Sequence, residues 1–208
     1  MMRRPTFLLL MLGLALVVGS CHHLMPGEDG TWLPGTGPLP HIGTSGPAVP
    51  RAWAPRGPSR PWRYIVIHHS ATEEGGALAF HYMHTHKGWD ELGYHFVIGN
   101  GSDSGDGEVE IGSRWAKQKW GAHTKSADGR YNQYGVGICL VGNFELTSPT
   151  DDQWKSAVRL VAFLMDRYQI PAENVLGHRD CWATLCPGKN MNVKQLGKES
   201  AELLRQYR

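Results

Sequence analysis

Residues 174–190 carry two side chains that could bind a metal ion, His178 and Cys186. An imidazole and a thiolate on one irregular stretch supply half of a zinc site. A third ligand could come from His68 or His69, an adjacent pair far upstream. Three protein ligands with one open position are typical of a catalytic zinc, whereas a structural zinc has four ligands. The hypothesis is therefore one catalytic Zn²⁺.

The cysteines allow a competing interpretation. In an oxidising compartment, two of Cys139, Cys181 and Cys186 could form a disulfide. A bridge between Cys181 and Cys186 would remove the proposed ligand. If Cys21 is modified, three cysteines remain, so at least one stays free or binds a metal. The residues alone leave metal and disulfide open.

The histidine pair belongs to a continuous apolar, β-branched run at residues 64–69, which is typical of a buried strand. Successive strand residues point to opposite faces, so at most one of His68 and His69 can share a metal with His178 and Cys186. A strand histidine taken alone is more often a hydrogen-bonded core residue than a ligand. Spacing alone does not decide between these roles.

Strands interleaved with helices must position these residues. Further strands are predicted at residues 93–98, 108–111 and 135–141, and helices at 76–86, 150–168 and 193–207. Thr150 and Gln153 form a predicted capping box, Pro171 ends that helix, and Asn192 caps the last one. The fold class is therefore α/β (α+β), with a central mixed β-sheet flanked by helices.

Length and composition limit the possible partners. The 208 residues are 41% hydrophobic and 19% charged, with a net charge of +2, which fits one globular domain with attachments. The charges form no basic block, so we expect no nucleic-acid partner. The eight Trp residues suit an uncharged or mixed-charge ligand. We expect a monomer.

Residues 1–20 predict an export signal. Arg3 and Arg4 precede an apolar run shorter than the roughly 20 residues that span a bilayer, as in a signal peptide. The run ends in a segment that resembles the bacterial lipobox, in which the cysteine, here Cys21, is lipidated. Such an anchor predicts the periplasmic face of a bacterial membrane, the outer rather than the inner. The alternative is an ordinary signal peptide cleaved after Ser20, which gives a periplasmic or secreted protein.

Residues 21–60 predict a tether, because this Pro/Gly-rich stretch has no sustained hydrophobic period and too little apolar surface to order itself. Its prolines favour a semi-extended chain. Trp32 and Trp53 could dock on the domain, but the composition favours a solvated linker. The folded domain is then residues 61–208.

An ordered set of short motifs covers nearly all of residues 62–190. The motifs are IVIHHSAT (65–72), GW (88–89), GYHF (93–96), GAHT (121–124), YN (131–132), VGI (136–138), GNF (142–144), GHRD (177–180) and CPG (186–188). Together they resemble the type 2 N-acetylmuramoyl-L-alanine amidases and the peptidoglycan recognition proteins, which share one single-domain fold.

The resemblance implies a zinc hydrolase. Family members with this pattern cleave the amide bond between the lactyl group of N-acetylmuramic acid and L-alanine in peptidoglycan or muropeptides. The family's zinc ligands correspond to His68, His178 and Cys186, which leaves His69 on the opposite face. The alternatives are a non-catalytic module of the same fold that binds peptidoglycan or muropeptides, and a disulfide-stapled structural lipoprotein.

The same resemblance assigns roles to five other residues. Tyr94 is a predicted catalytic residue that orients water or donates to the oxyanion; otherwise it is a core aromatic. Thr184 is a predicted catalytic residue at the position where phage-type amidases carry a lysine and many recognition-protein amidases carry a small hydroxyl residue. Predicted substrate-binding residues are His123, Trp89 and Asn143.

One departure from the family leaves proton transfer unassigned. The anhydromuropeptide amidases place a glutamate general base at the strand position that Cys139 occupies here. Cys139 is instead expected to be a buried, small apolar residue. The working hypothesis is therefore zinc-activated water together with Tyr94.

Overall fold

Five strands form one mixed sheet in the computed structural model, which describes residues 49–55 and 57–207. The strands are β1 (Tyr64–His69), β2 (Phe96–Ile98), β3 (Val109–Ile111), β4 (Gly135–Leu140) and β5 (Val175–Gly177). Their order across the sheet is β3-β2-β4-β1-β5. β3 runs antiparallel to β2, and all other neighbours are parallel. The predicted mixed sheet is confirmed.

Six α-helices accompany the sheet in the described part of the chain. They are α1 (Ala77–His86), α2 (Ser113–Ala116), α3 (Arg130–Tyr134), α4 (Asp151–Tyr168), α5 (His178–Cys181) and α6 (Val193–Arg205). Thr150 accepts from the amide of Gln153, whose side chain accepts from the Thr150 amide, so the predicted capping box is confirmed. Asn192 caps α6 by accepting from the amide of Gln195.

The sheet has one apolar face, which we call the helix face. Alternate residues of β1 and β4, including Ile65, Ile67 and Ile138, form a buried cluster with Leu164 of α4 and Leu196 of α6. Each fully buried aliphatic side chain of this kind contributes about 1.5–3 kcal/mol through the apolar surface that it removes from water. The amphipathic pattern of α4 and α6 is therefore explained by this one core.

The other face carries His68, Val97, Gly137 and Cys139, and we call it the histidine face. Its apolar cluster is small, joining Val97 and Cys139 to Phe80 of α1. The predicted strand at 93–98 is shorter here and begins at Phe96. Loops rather than long helices complete the cover of this face.

Trp53 corrects the expectation of a solvated tether. It is 5% exposed and belongs to the helix-face core together with Val49. Its ring centroid lies 5.9 Å from that of Phe163, and its carbonyl accepts a 2.9 Å hydrogen bond from Nε1 of Trp115. Composition missed this contact because two apolar residues stand in a Pro/Gly-rich stretch. The structured unit thus includes residues before 61.

The predicted signal peptide, Cys21, Trp32 and the tether up to residue 48 lie outside the described residues. Within the part of the chain that is described, no helix combines the length and the apolar character needed to cross a bilayer.

Candidate metal centre

His68 and His178 meet because their strands are parallel neighbours. β1 pairs with β5 so that Ile67 lies opposite Gly177, and each of these is followed by a histidine. The two imidazole centroids are 4.6 Å apart. Both rings therefore lie at the carboxyl ends of parallel strands, the edge where open α/β sheets form ligand sites.

The loop that follows α5 returns Cys186 to the same edge. The amide of Arg179 donates to the carbonyl of Cys186 at 2.8 Å, and its guanidinium donates to the carbonyl of Gly188. Gly188 has a φ of +94°, and a Cβ there would lie 2.3 Å from the carbonyl carbon of Phe144. Only glycine fits this turn without strain, so the loop has one close-packed path. It leaves Sγ of Cys186 3.7 Å from Nδ1 of His68.

The three side chains fit a zinc ion. One donor atom from each of His68, His178 and Cys186 lies within 4.8 Å of the others. Tetrahedral ligands at zinc distances of about 2.0 Å for nitrogen and 2.3 Å for sulfur lie about 3.5 Å apart, close to the separation of Nδ1 and Sγ here. Nε2 of His178 is buried and has no hydrogen-bond partner. A buried polar atom normally has a partner, and a bound cation would supply one to the His178 ring. Two imidazoles and a thiol are donors that zinc prefers.

The described thiols Cys139, Cys181 and Cys186 are all free. The Cys181–Cys186 bridge considered from the sequence is therefore not formed in this structure. Cys181 instead lies at the end of α5, where its sulfur contacts the carbonyl of Gly177 at 3.7 Å.

Burial prepares the imidazoles for metal binding. Desolvation, followed by the nearby His123 and His178, lowers the pKa of His68 well below its ordinary value. Desolvation also lowers the pKa of His178. Both rings are thus neutral at pH 7, the form that binds metal. Burial raises the pKa of the Cys186 thiol to about 11, so metal binding must displace the thiol proton.

His123 lies behind His68 on the histidine face. It is 6% exposed, and its Nδ1 is 3.1 Å from Nε2 of His68. Its own Nε2 lies 3.2 Å from the carbonyl oxygen of Gly135. A Cβ on Gly137 would lie 2.4 Å from Cδ2 of His123, so the bare strand leaves room for the ring. Both ring nitrogens are engaged within the protein; the substrate contact of His123 stays a prediction.

Tyr94 lies beside His68. Its ring centroid is 5.2 Å from that of His68. Burial and the neighbouring thiols of Cys139 and Cys186 raise the pKa of the Tyr94 phenol well above its ordinary value. The hydroxyl therefore keeps its proton and can serve as a hydrogen-bond donor at this edge. Tyr94 also packs against the small apolar cluster, so the two sequence-based interpretations of this residue are compatible.

Three other predicted residues have different surroundings. Thr184 is exposed, and its Oγ1 accepts from the amide of Cys186 at 3.3 Å. Asn143 uses its side-chain oxygen to accept from the amide of Glu145, in the turn after β4. Trp89 is 42% exposed and stacks on His84 with a centroid distance of 4.4 Å. The structure thus joins Thr184 to Cys186, whereas Asn143 lies in the turn after β4 and Trp89 packs on α1 through His84.

Sequence reasoning missed two supporting histidines. His84 accepts from the amide of Gly93 at 3.0 Å, which holds the loop that carries Tyr94. His95 accepts from the amide of Gly137 at 2.9 Å and donates to the carbonyl of Lys119 at 3.0 Å. Their partners are backbone groups of two loops and of β4, so no spacing rule could have identified them.

A buried carboxylate holds the same loop to α2. Glu91 is 4% exposed and accepts from Nζ of Lys119 at 2.8 Å, from Nζ of Lys117 at 3.0 Å and from the hydroxyl of Ser113. Burial alone would raise the pKa of Glu91, but these hydrogen bonds outweigh it and lower the pKa to about 2. The loop before Tyr94 is thus fixed by a charged cluster.

Comparisons with known proteins agree with this site. A family model described as N-acetylmuramoyl-L-alanine amidase matches residues 58–189. Peptidoglycan-recognition protein SC2 of Drosophila melanogaster is 33% identical over 140 residues, which cover 62% of this chain and 69% of that protein.

Two solved structures extend the comparison. The N-acetylmuramoyl-L-alanine amidase LysC from Clostridium intestinale has a TM-score of 0.58 and 26% identity, covering 71% of this chain and 92% of its own. The ectodomain complex of peptidoglycan recognition proteins LCa and LCx, solved with bound tracheal cytotoxin, has a TM-score of 0.51 and 27% identity, covering 67% of this chain and 87% of its own.

The family model spans all nine motifs that carry the family resemblance, and the solved relatives share the fold. The relatives are named both as amidases and as recognition proteins, so the family resemblance is confirmed and the activity has to be argued from the site. The chain belongs to the N-acetylmuramoyl-L-alanine amidase family.

Proposed function

We propose that this protein is a zinc-dependent N-acetylmuramoyl-L-alanine amidase. Its substrate would be the amide bond between the lactyl group of N-acetylmuramic acid and L-alanine, in peptidoglycan or muropeptides. The observation that carries the proposal is the convergence of His68, His178 and Cys186 at the carboxyl edge of the sheet. A module that only recognises muropeptides has no need of such a donor set.

His68, His178 and Cys186 would hold one Zn²⁺, and three protein ligands are the number found in catalytic zinc sites. When bound, the ion would supply Lewis-acid polarisation of the scissile carbonyl and an acidified water. The two neutral imidazoles and one thiolate contribute a single negative charge to the ligand set. The bound site therefore keeps a net positive charge that favours the developing oxyanion.

Tyr94 and Thr184 would provide neutral donors for that oxyanion. Burial keeps the Tyr94 phenol protonated, so it can donate at neutral pH. Removing one such donor typically lowers kcat by about 10²–10³-fold. Thr184 carries no positive charge, so the site depends more on the metal and on Tyr94. We expect Tyr94→Phe to lower kcat by this factor without changing zinc affinity.

Cys139 does not replace the missing glutamate base. It is fully buried, and desolvation raises the pKa of its thiol well above its ordinary value. A thiol that stays protonated cannot accept a proton from water. We therefore propose that Tyr94, rather than a side chain of β4, orients the attacking water.

Digestion of peptidoglycan tests the proposal. The chain from residue 49 onward, which retains Trp53, would be incubated with peptidoglycan with and without a chelator, and new ends identified by mass spectrometry. We expect new L-alanine amino termini that disappear with chelator and return with zinc. Cys186→Ser should abolish them, while Cys181→Ser, five positions earlier at the end of α5, should not.

The opposite result would favour the recognition module. Sedimentation with peptidoglycan at full zinc occupancy, with no new ends, would remove the catalytic assignments. The deciding observation is the absence of new ends in the zinc-loaded wild type, because Cys186→Ser could bind peptidoglycan under either account. Relatives named as recognition proteins make this the alternative to test.

We also propose export and lipid anchoring through Cys21. The basic start, the short apolar run and the cysteine at its end support this proposal. Attachment by several acyl chains would be stable, whereas a single chain gives only marginal binding. Cys21→Ser should move the protein from the membrane fraction to the soluble fraction. An unchanged distribution, with an unmodified Cys21 by mass spectrometry, would contradict the anchor.

A further inference from the structure

A chain of three groups runs from the backbone of β4 to the metal ligands. The carbonyl oxygen of Gly135 lies 3.2 Å from Nε2 of His123. Nδ1 of His123 lies 3.1 Å from Nε2 of His68. The other nitrogen of His68, Nδ1, lies 3.7 Å from Sγ of Cys186. Each imidazole thus has one nitrogen on the side of Gly135 and the other on the side of Cys186.

The carbonyl at the start of the chain fixes where the protons are. A carbonyl oxygen can only accept, so Nε2 of His123 must carry a proton. In a neutral imidazole the other nitrogen, Nδ1, is then an acceptor. Nε2 of His68 faces that acceptor and must donate to it. The remaining nitrogen of His68, Nδ1, is left with a lone pair directed to the side of Cys186.

The opposite tautomer of His68 would be unfavourable on both sides. Its Nε2 would face Nδ1 of His123 with two lone pairs 3.1 Å apart. Its Nδ1 would direct a proton into the space between the three ligands. The buried pair would lose its hydrogen bond, and an unmade bond between buried groups is costly.

The fold holds His123 in place from several directions. Its amide donates to Oδ1 of Asn132 at 2.9 Å. A Cβ on Gly121 would lie 2.3 Å from its ring, and one on Gly137 would lie 2.4 Å from it. The ring is therefore packed between two glycines, and its orientation follows from the backbone rather than from the ligands.

We propose that His123 is a positioning residue that selects the Nε2-protonated tautomer of His68, so that Nδ1 of His68 is the metal-binding atom. The proposal deepens the proposed function and rests on its metal site. His178 has no such partner at its buried Nε2. The two histidine ligands are thus unequal, and His68 is the preorganised one.

The tautomer itself can be read without any metal. Imidazole ¹⁵N and ¹³C NMR of the metal-free wild type should show His68 protonated at Nε2 and bare at Nδ1. A His68 protonated at Nδ1 would overturn the proposal directly. This spectrum tests His123 even if the wild type binds no zinc, in which case the proposed function alone would fail.

Zinc affinity, measured by competition with a chelating dye, provides the second test. His123→Leu should weaken binding by about 10–100-fold, as expected when a partner behind a metal ligand is lost. His123→Asn places an acceptor oxygen near the position of Nδ1 and should restore most of the affinity. Its His68 spectrum should also return to the Nε2-protonated form.

His84→Leu is the matched control. It removes another buried histidine and leaves the amide of Gly93 unpaired, but His84 has no contact with His68 in this network. Its melting temperature should fall while its zinc affinity stays that of the wild type. Equal losses of affinity in His84→Leu and His123→Leu, or no loss in His123→Leu, would show that His123 has no positioning role.

Discussion

The two faces of the sheet are built in different ways. The helix face is apolar, and two long amphipathic helices, α4 and α6, cover it with side chains such as Leu164 and Leu196. The histidine face is covered by α1 and loops, and its buried groups include His68, His95 and His123. Both faces belong to the same short strands, so the difference arises from alternate residues of one sequence.

The helix face serves mainly the stability of the fold, whereas the histidine face positions the polar groups of the candidate site. Apolar burial on the helix face needs no particular partner, because the hydrophobic effect has no direction. Polar groups on the histidine face need partners, since a buried polar group without one is costly. Gly135, His123 and His68 satisfy this need in a chain that also orients a ligand. We therefore expect substitutions on the two faces to affect different measurements.

The largest effect on stability is expected from Trp53. Trp53→Ala should reduce the free energy of unfolding by about 3–5 kcal/mol, because it empties a large site in the helix-face core. The zinc affinity of the folded fraction should stay unchanged. Urea denaturation and dye competition measure the two quantities. Trp182→Ala, which truncates a Trp that is 46% exposed, should change stability by no more than about 0.5 kcal/mol.

If Trp53→Ala lost zinc affinity as well as stability, the expected independence of the two faces would be contradicted. It would mean that the helix face and the metal centre respond as one unit. Equal stability in the Trp53 and Trp182 variants would instead mean that residues 49–55 are not part of the core.

An intermediate effect is expected at Gly137, where close packing and the hydrogen bond between His123 and His68 depend on the same residue. Gly137→Ala would bring a Cβ to 2.4 Å from His123 and should cost about 1–3 kcal/mol through overpacking. The displaced ring would also lose its hydrogen bond to His68, so zinc affinity should fall. Gly57→Ala is the control, since a Cβ there meets no atom within 4 Å. Unchanged zinc affinity in Gly137→Ala would mean that the position of the His123 ring does not matter.

The smallest effect is expected at Glu91 and depends on pH. Glu91→Gln should cost about 1.5 kcal/mol at neutral pH, the low end for charged hydrogen bonds, because Lys117 and Lys119 are partly exposed. The pKa of Glu91 is lowered from 4.5 to about 2 in the folded protein. Its stabilisation is therefore complete above about pH 4.5 and is lost as the pH falls toward 2.

Unfolding curves of wild type and Glu91→Gln from pH 6 to 2 measure this prediction. The difference between the two proteins should shrink as the pH falls. A constant difference would show that the carboxylate charge is not what holds the loop. Lys155→Ala removes an exposed ion pair on α4 and should give no measurable change at any pH.

The helix face could largely be predicted from the sequence. The apolar stripe of α4 and its Thr150–Gln153 capping box are local signals, and the structure confirms both. The buried strand β1 follows from its continuous apolar run. Trp53 is the exception, because its burial depends on a distant partner, Trp115, that no local pattern reveals.

The histidine face was predictable only in part. Resemblance to a family identified His68, His178 and Cys186, and the structure brings them together. The link from His123 to His68 depends on how a loop closes over Gly137, which spacing along the chain does not encode. Loop closure is set by tertiary contacts, so the supporting groups become visible only in the folded chain.

Cobalt substitution tests the central claim most directly, namely that two imidazoles and one thiolate share a metal ion. The protein would be loaded with Co²⁺ and its absorption spectrum compared with those of Cys186→Ser and Cys181→Ser. We predict one ion per chain, with intense tetrahedral d–d bands and a thiolate-to-metal charge-transfer band that only Cys186→Ser loses. A weak six-coordinate spectrum that is identical in all three proteins would contradict the claim.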